Sequence, residues 1–122
     1  MKRKKSLILM ATLAMLLGIS TAVYAWMVQG SSAITTGIIT MTGSSWTTSD
    51  VLCSTLYVDN TLYKDGHVAG GSTKSASNSN SVSTTCTGAN TLGNQYWELY
   101  GIHQGTSGGV TKTVTSYHEV IY

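Results

Sequence analysis

Two cysteines, three histidines, two glutamates and one aromatic run are the side chains of this 122-residue sequence whose types and spacing could do chemistry. Cys53 and Cys86 are its only cysteines. In an oxidising compartment an even count predicts one intramolecular disulfide. Closing that loop would stabilise a small domain by about 3–4 kcal/mol on the chain-entropy account. His67, His103 and His118 lack the ligand spacings usual for zinc, so no metal site is expected, although strand pairing could bring His103 near His118. Glu98 and Glu119 raise the question of glycoside hydrolysis, which needs two carboxyl groups facing each other across a sugar. A chain this small rarely forms such a cleft. No Gly-x-Ser-x-Gly elbow accompanies the many serines. The reading is therefore of a non-enzymatic protein with no cofactor.

The aromatic run Gln95–His103 is more informative. At strand spacing, Trp97, Leu99 and Gly101 share one face, while Tyr96, Glu98, Tyr100 and Ile102 share the other. Only one face can enter a core. Tyr96, Trp97 and Tyr100 are thus the candidate surface-binding residues, with either the tyrosines or the tryptophan outside. Flat rings stack on sugars and make adaptable protein contacts. The expected partners are cell-wall carbohydrate or another surface protein.

The chain's first 25 residues say where these groups would work. Lys2, Arg3, Lys4 and Lys5 precede an apolar run from Leu7 to about Gly18, and Val23-Tyr24-Ala25 supplies short residues for cleavage. That order is a secretory signal peptide, with cleavage expected between Ala25 and Trp26. It predicts an extracellular protein with one domain over residues 26–122, touching a membrane only if the leader were kept as an anchor. The leader also carries the positive charge. Beyond it, three lysines face five carboxylates for a net charge of −2, so the basic balance of the whole chain is no argument for nucleic acid.

The elements that must position these residues read as strands. Residues 33–42 suggest a first strand, followed by a break at Gly43-Ser44-Ser45. Asp50–Val58 alternates, with Val51, Cys53, Thr55 and Tyr57 on one face. Asp65-Gly66 between short β-forming runs predicts a type I′ hairpin with Leu62 opposite Val68, or Tyr63 opposite His67. Residues 70–81 read as a surface loop or polar edge strand, Ser81–Thr87 as resumed pairing, and Val110–Tyr122 as the last strand. Six to seven strands without a helix after the leader predict an all-β fold, an antiparallel two-sheet sandwich of immunoglobulin-like architecture.

Leu62-Tyr63-Lys64-Asp65-Gly66, Tyr100-Gly101-Ile102-His103 and Gly108-Gly109-Val110-Thr111, behind a leader, resemble a group of small Ser/Thr/Tyr-rich secreted β-proteins of Gram-positive bacteria. The resemblance implies a β fold and export, and transfers no site. The function expected is a binding or structural module at the cell surface or matrix, with self-association through free strand edges. The alternative is a bacteriocin-like antimicrobial or toxin. Residues 70–87 lack the apolar alternate that a membrane hairpin needs.

Overall fold

The computed structural model describes Trp26–Tyr122. The leader and Ala25 lie outside the described residues. Within them every regular element is a strand: β1 (Val28–Thr35), β2 (Thr40–Lys64), β3 (His67–Ala89), β4 (Tyr96–Ser107) and β5 (Val110–Ile121). All pairings are antiparallel.

β2 is long enough to serve two neighbourhoods. Its first part, Thr40–Thr48, pairs with β3 residues 81–89, and β1 lies along its other edge. Its second part, Cys53–Lys64, pairs with β3 residues 67–79, and Thr55–Lys64 also pairs with β4, which in turn pairs with β5. The register slips between Thr48 and Cys53, where the sheet turns over. β1 is thereby brought against β4 and β5 without pairing to either. The result is one curled antiparallel sheet whose two ends face each other across a core. Five continuous strands replace the expected six or seven because β2 and β3 run through the bend.

The slip also resets the side-chain alternation. Ser54 and Thr55 are both exposed, so Cys53 points inward while Tyr57 does not share its face; Leu56, Val58 and Leu62 take over the core positions. The first strand is displaced as well. β1 starts at Val28, and Thr36–Ile39 form the loop that the 33–42 assignment runs through. Gly43-Ser44-Ser45 sits inside β2, and residues 70–79 are a polar strand. At the hairpin, Asp65 and Gly66 both take positive φ (49° and 80°). A type I′ turn uses only those two residues, so Lys64 faces His67 and Tyr63 faces Val68, one step from the expected register.

The expected disulfide is absent. Cys53 and Cys86 are free, buried thiols in separate apolar clusters. Cys53 packs with Trp26, Val28, Leu56, Val58 and Val82 near the β2 bend. Cys86 packs with Met41, Leu62, Trp97 and Leu99 at the other pole. Counting cysteines could not show that β3 carries Cys86 to Gly43 rather than to Cys53. Burial raises the Cys86 pKa, which further lowers its reactivity. Under non-reducing conditions the folded protein should resist alkylation, while the denatured chain takes up two alkyl groups by mass spectrometry. A denatured chain that takes up none would restore the bridge.

Candidate functional site

The two apolar clusters are kept apart by polar side chains. At mid-height each strand turns a polar group inward: Ser32 on β1, Ser45, Thr47 and Asn60 on β2, Ser72 and Thr84 on β3, His103 on β4 and Ser116 on β5. Ser45, Thr47, Asn60 and His103 are buried. Inward-facing glycines make room for the largest of them. A Cβ at Gly30 would lie 2.1 Å from His103 Cδ2, and one at Gly101 would lie 2.7 Å from Nε2.

The donors and acceptors resolve into a single direction. Thr84 Oγ1 donates to Ser72 Oγ (2.9 Å), which donates to Asn60 Oδ1 (2.8 Å). Asn60 Nδ2 donates to Ser45 Oγ (3.3 Å). At the far end Thr47 Oγ1 gives its hydrogen to the Tyr57 carbonyl (3.0 Å). It must therefore accept from His103 Nδ1, 2.7 Å away, leaving Nε2 to accept from Ser116 Oγ at 2.7 Å. Ser45 then donates to Ser32 (2.8 Å), and Ser32 to Ser116. Each hydroxyl hydrogen is used once. The fit holds for a neutral His103 protonated on Nδ1. A proton on Nε2 would reverse the three serine hydroxyls, leaving the Ser45 hydrogen without an acceptor. Desolvation acts in the same direction, lowering the His103 pKa.

The Ser116–His103 contact resembles a nucleophile and its base, but the imidazole has no exposed surface and its second nitrogen meets a threonine. Nor do the histidines gather. His118 lies opposite Leu99 and His103 opposite Val114, and no group of three or more His, Cys, Asp or Glu residues suited to a metal occurs among the described residues.

The outer face of β4 and β5 is the accessible chemistry. Tyr96, Tyr100, Ile102 and Tyr117 are exposed there, whereas Trp97 and Leu99 are fully buried. Trp97 is thus withdrawn from the candidate surface residues; its indole N–H finds no hydrogen-bond partner among the described residues. Tyr100 stands opposite Tyr117, ring centroids 4.8 Å apart, and Tyr63 on β2 meets Tyr100 edge-on at 5.5 Å. Beside the rings, Glu98 faces Glu119 across the strands. The Tyr117 hydroxyl lies 2.8 Å from Glu98 Oε1 and 2.8 Å from Glu119 Oε2, and Tyr96 donates to Glu119. The carboxyl groups therefore sit side by side, not on opposite sides of a bound ring as glycoside hydrolysis requires. Hydrogen bonds from Tyr96 and then Tyr117 hold Glu119 below the usual carboxylate range. The Tyr96 phenol is raised chiefly by that bond to Glu119, and Tyr117 by Tyr96 and then Glu119. At neutral pH this is a hydrogen-bonded display of neutral phenols beside the ionised Glu119 carboxylate. Sequence reasoning missed Tyr63 and Tyr117, whose alternate positions on neighbouring strands were the available signal.

No protein-family model and no curated protein matches the sequence. Among solved structures the chain is similar to a glycosyl hydrolase family 2 member from Bacteroides cellulosilyticus (TM-score 0.48, 7% identity, 74% of this chain and 14% of that one). It thus spans only a small part of that protein's length. It is also similar to a protein from Arabidopsis thaliana (TM-score 0.47, 8% identity, 77% of this chain and 78% of that one). A third, from Archaeoglobus fulgidus, gives a TM-score of 0.43 at 7% identity over 79% of this chain and 94% of that one.

Proposed function

We propose that this is an exported, non-enzymatic binding module that works at the cell surface or matrix, presenting the outer face of β4 and β5 to cell-wall carbohydrate. The leader supports export, and cleavage after Ala25 would leave Trp26 as the first residue. Trp26 is buried in the core, and Lys112 Nζ lies 4.5 Å from its ring centroid. The curled sheet is read as an immunoglobulin-like sandwich. One layer holds β1 with the first part of β2 and the last part of β3; the other holds the remaining parts with β4 and β5.

The observation that carries the binding reading is the ordered row Tyr63–Tyr100–Tyr117–Tyr96 flanked by Glu98 and Glu119. Phenol faces offer stacking surface, the carboxylates accept sugar hydroxyls, and mutual bonding keeps the side chains ordered before a ligand arrives. The fully buried imidazole and the adjacent carboxyl groups favour binding over catalysis.

Pull-down on purified Gram-positive cell walls tests the reading. Tyr100→Ala and Tyr117→Ala should each weaken retention about tenfold with little change in unfolding midpoint, the loss expected when one stacking ring is removed. Thr113→Ala, on the same face but away from the rings, should retain full binding. Equal retention of all three variants would remove the tyrosine face from the function.

A further inference from the structure

The four most exposed large apolar side chains among the described residues stand at one pole of the sheet. Leu92 is fully exposed, and Ile38, Ile39 and Ile121 are 85%, 78% and 70% exposed. Ile38 and Ile39 belong to the β1–β2 loop and Leu92 to the β3–β4 loop. The two loops are tied together: Asn90 N donates to the Ile39 carbonyl (2.8 Å), and Asn90 Nδ2 donates to the Gly37 carbonyl (2.8 Å). Ile38, Leu92 and Tyr122 border one shallow depression. Apolar side chains gathered at one place on a surface mark an interaction site in a way that single scattered ones do not.

The exposure of these side chains and the groups beside them select the occupant. Fluid hydrocarbon can surround side chains that stand this far into solvent. Groups suited to a headgroup region stand beside them. Tyr122, partly exposed, lines the depression with Ile38 and Leu92, and the Lys64 ammonium donates to Thr91 Oγ1 at 2.9 Å, one residue from Leu92. Aromatic residues favour the interface, and lysine favours the headgroup level. Residues 36–39 and 90–95 contain no acidic side chain. The hairpin carboxylate at this pole, Asp65, accepts the Tyr96 amide at 2.9 Å.

We propose that this pole is a lipid-binding tip, with Ile38, Ile39 and Leu92 entering the acyl region of a bilayer while Tyr122 and Lys64 remain among the headgroups. Trp26 packs with Val28 at the start of β1, and β1 runs from there towards this pole, so the inserting loops are distant from the leader junction. Tyr100 and Tyr117 lie further along the sheet than Tyr96, which stands opposite Ile121 at this pole. The inserting residues Ile38, Ile39 and Leu92 belong to loops outside the tyrosine row, and they supply the membrane contact that residues 70–87 cannot.

Co-sedimentation with phosphatidylcholine–phosphatidylglycerol vesicles tests this. Both the full chain and the chain from Trp26 are used, since every described strand and both apolar clusters lie within the latter. The chain from Trp26 should partition onto vesicles. Ile38→Ser, Ile39→Ser and Leu92→Ser combined should lower its partition coefficient about a hundredfold or more, with the unfolding midpoint unchanged. Leu52→Ser, an exposed apolar position at the opposite pole, should leave partitioning intact. A parent protein that stays in the supernatant overturns the proposal, as does a triple variant that still partitions. A parent that dimerises through these residues without binding vesicles makes the tip a protein contact and also overturns it.

Discussion

Gly30→Ala should destabilise the protein by about 3 kcal/mol or more, an effect far larger than one added methyl group in a strand normally has. The new Cβ would stand 2.1 Å from His103 Cδ2 and 2.2 Å from Cγ. The imidazole has nowhere to retreat. Thr47 and Ser116 hold its two nitrogens at 2.7 Å each, and Gly101 lies close on another side. Relief must come from separating β1 from β4, which opens the polar layer to partial hydration and breaks the Ser32 bridge between Ser45 and Ser116. Urea unfolding measures the cost. Ser31→Ala, on the adjacent position of the same strand, should stay within about 0.5 kcal/mol of the parent. The decisive comparison is the double variant. With His103→Ala in place the ring is gone, so adding Gly30→Ala should cost little more than His103→Ala alone. Additive losses would mean that the glycine matters for the β1 backbone and not for the imidazole.

That coupling shows what the sequence could and could not convey. Tyr96, Trp97, Leu99 and Tyr100 were legible to the level of two faces, because alternation in one regular strand needs no tertiary information. Which face lay inside was settled by the partner strands. The Asp65-Gly66 turn was legible because its positive φ values are local; its register was not, since a three-residue loop satisfies the same apolar pattern. The polar layer was written in the inward positions themselves. Val28-Gly30-Ser32-Ile34, Val58-Asn60-Leu62 and Val82-Thr84-Cys86 each place polar or small residues between apolar ones, and Leu99-Gly101-His103 runs from an apolar residue into a small and a polar one. A single strand with such an interruption looks like a weakened core position. It becomes a layer only when all strands align their interruptions at one height. The cysteines failed for the same reason, as pairing depends on the height of each thiol in the sheet and not on their number.

The polar layer also fixes a pH response that one isosteric substitution opposes. In the parent protein, burial depresses the His103 pKa. The unfolded chain accepts a proton near pH 6.5 that the folded chain refuses. The contribution of His103 is therefore fully present above pH 6.5 and declines as the pH falls below it, by up to about 1.4 kcal/mol per pH unit. Asn60→Asp preserves shape and the acceptor for Ser72 while removing the donor to Ser45 Oγ and to the Gly43 carbonyl at 3.5 Å. The new carboxylate would be buried without a cation, at a cost of about 3–5 kcal/mol at pH 7. Its folded-state pKa would rise above the unfolded value, so its penalty is greatest at high pH and shrinks as acid neutralises it. Urea unfolding of both proteins at pH 7.5 and pH 5 should show the parent losing stability on acidification while the gap between parent and variant narrows. A gap that stays constant between those pH values would place the loss in broken hydrogen-bond geometry and not in charge.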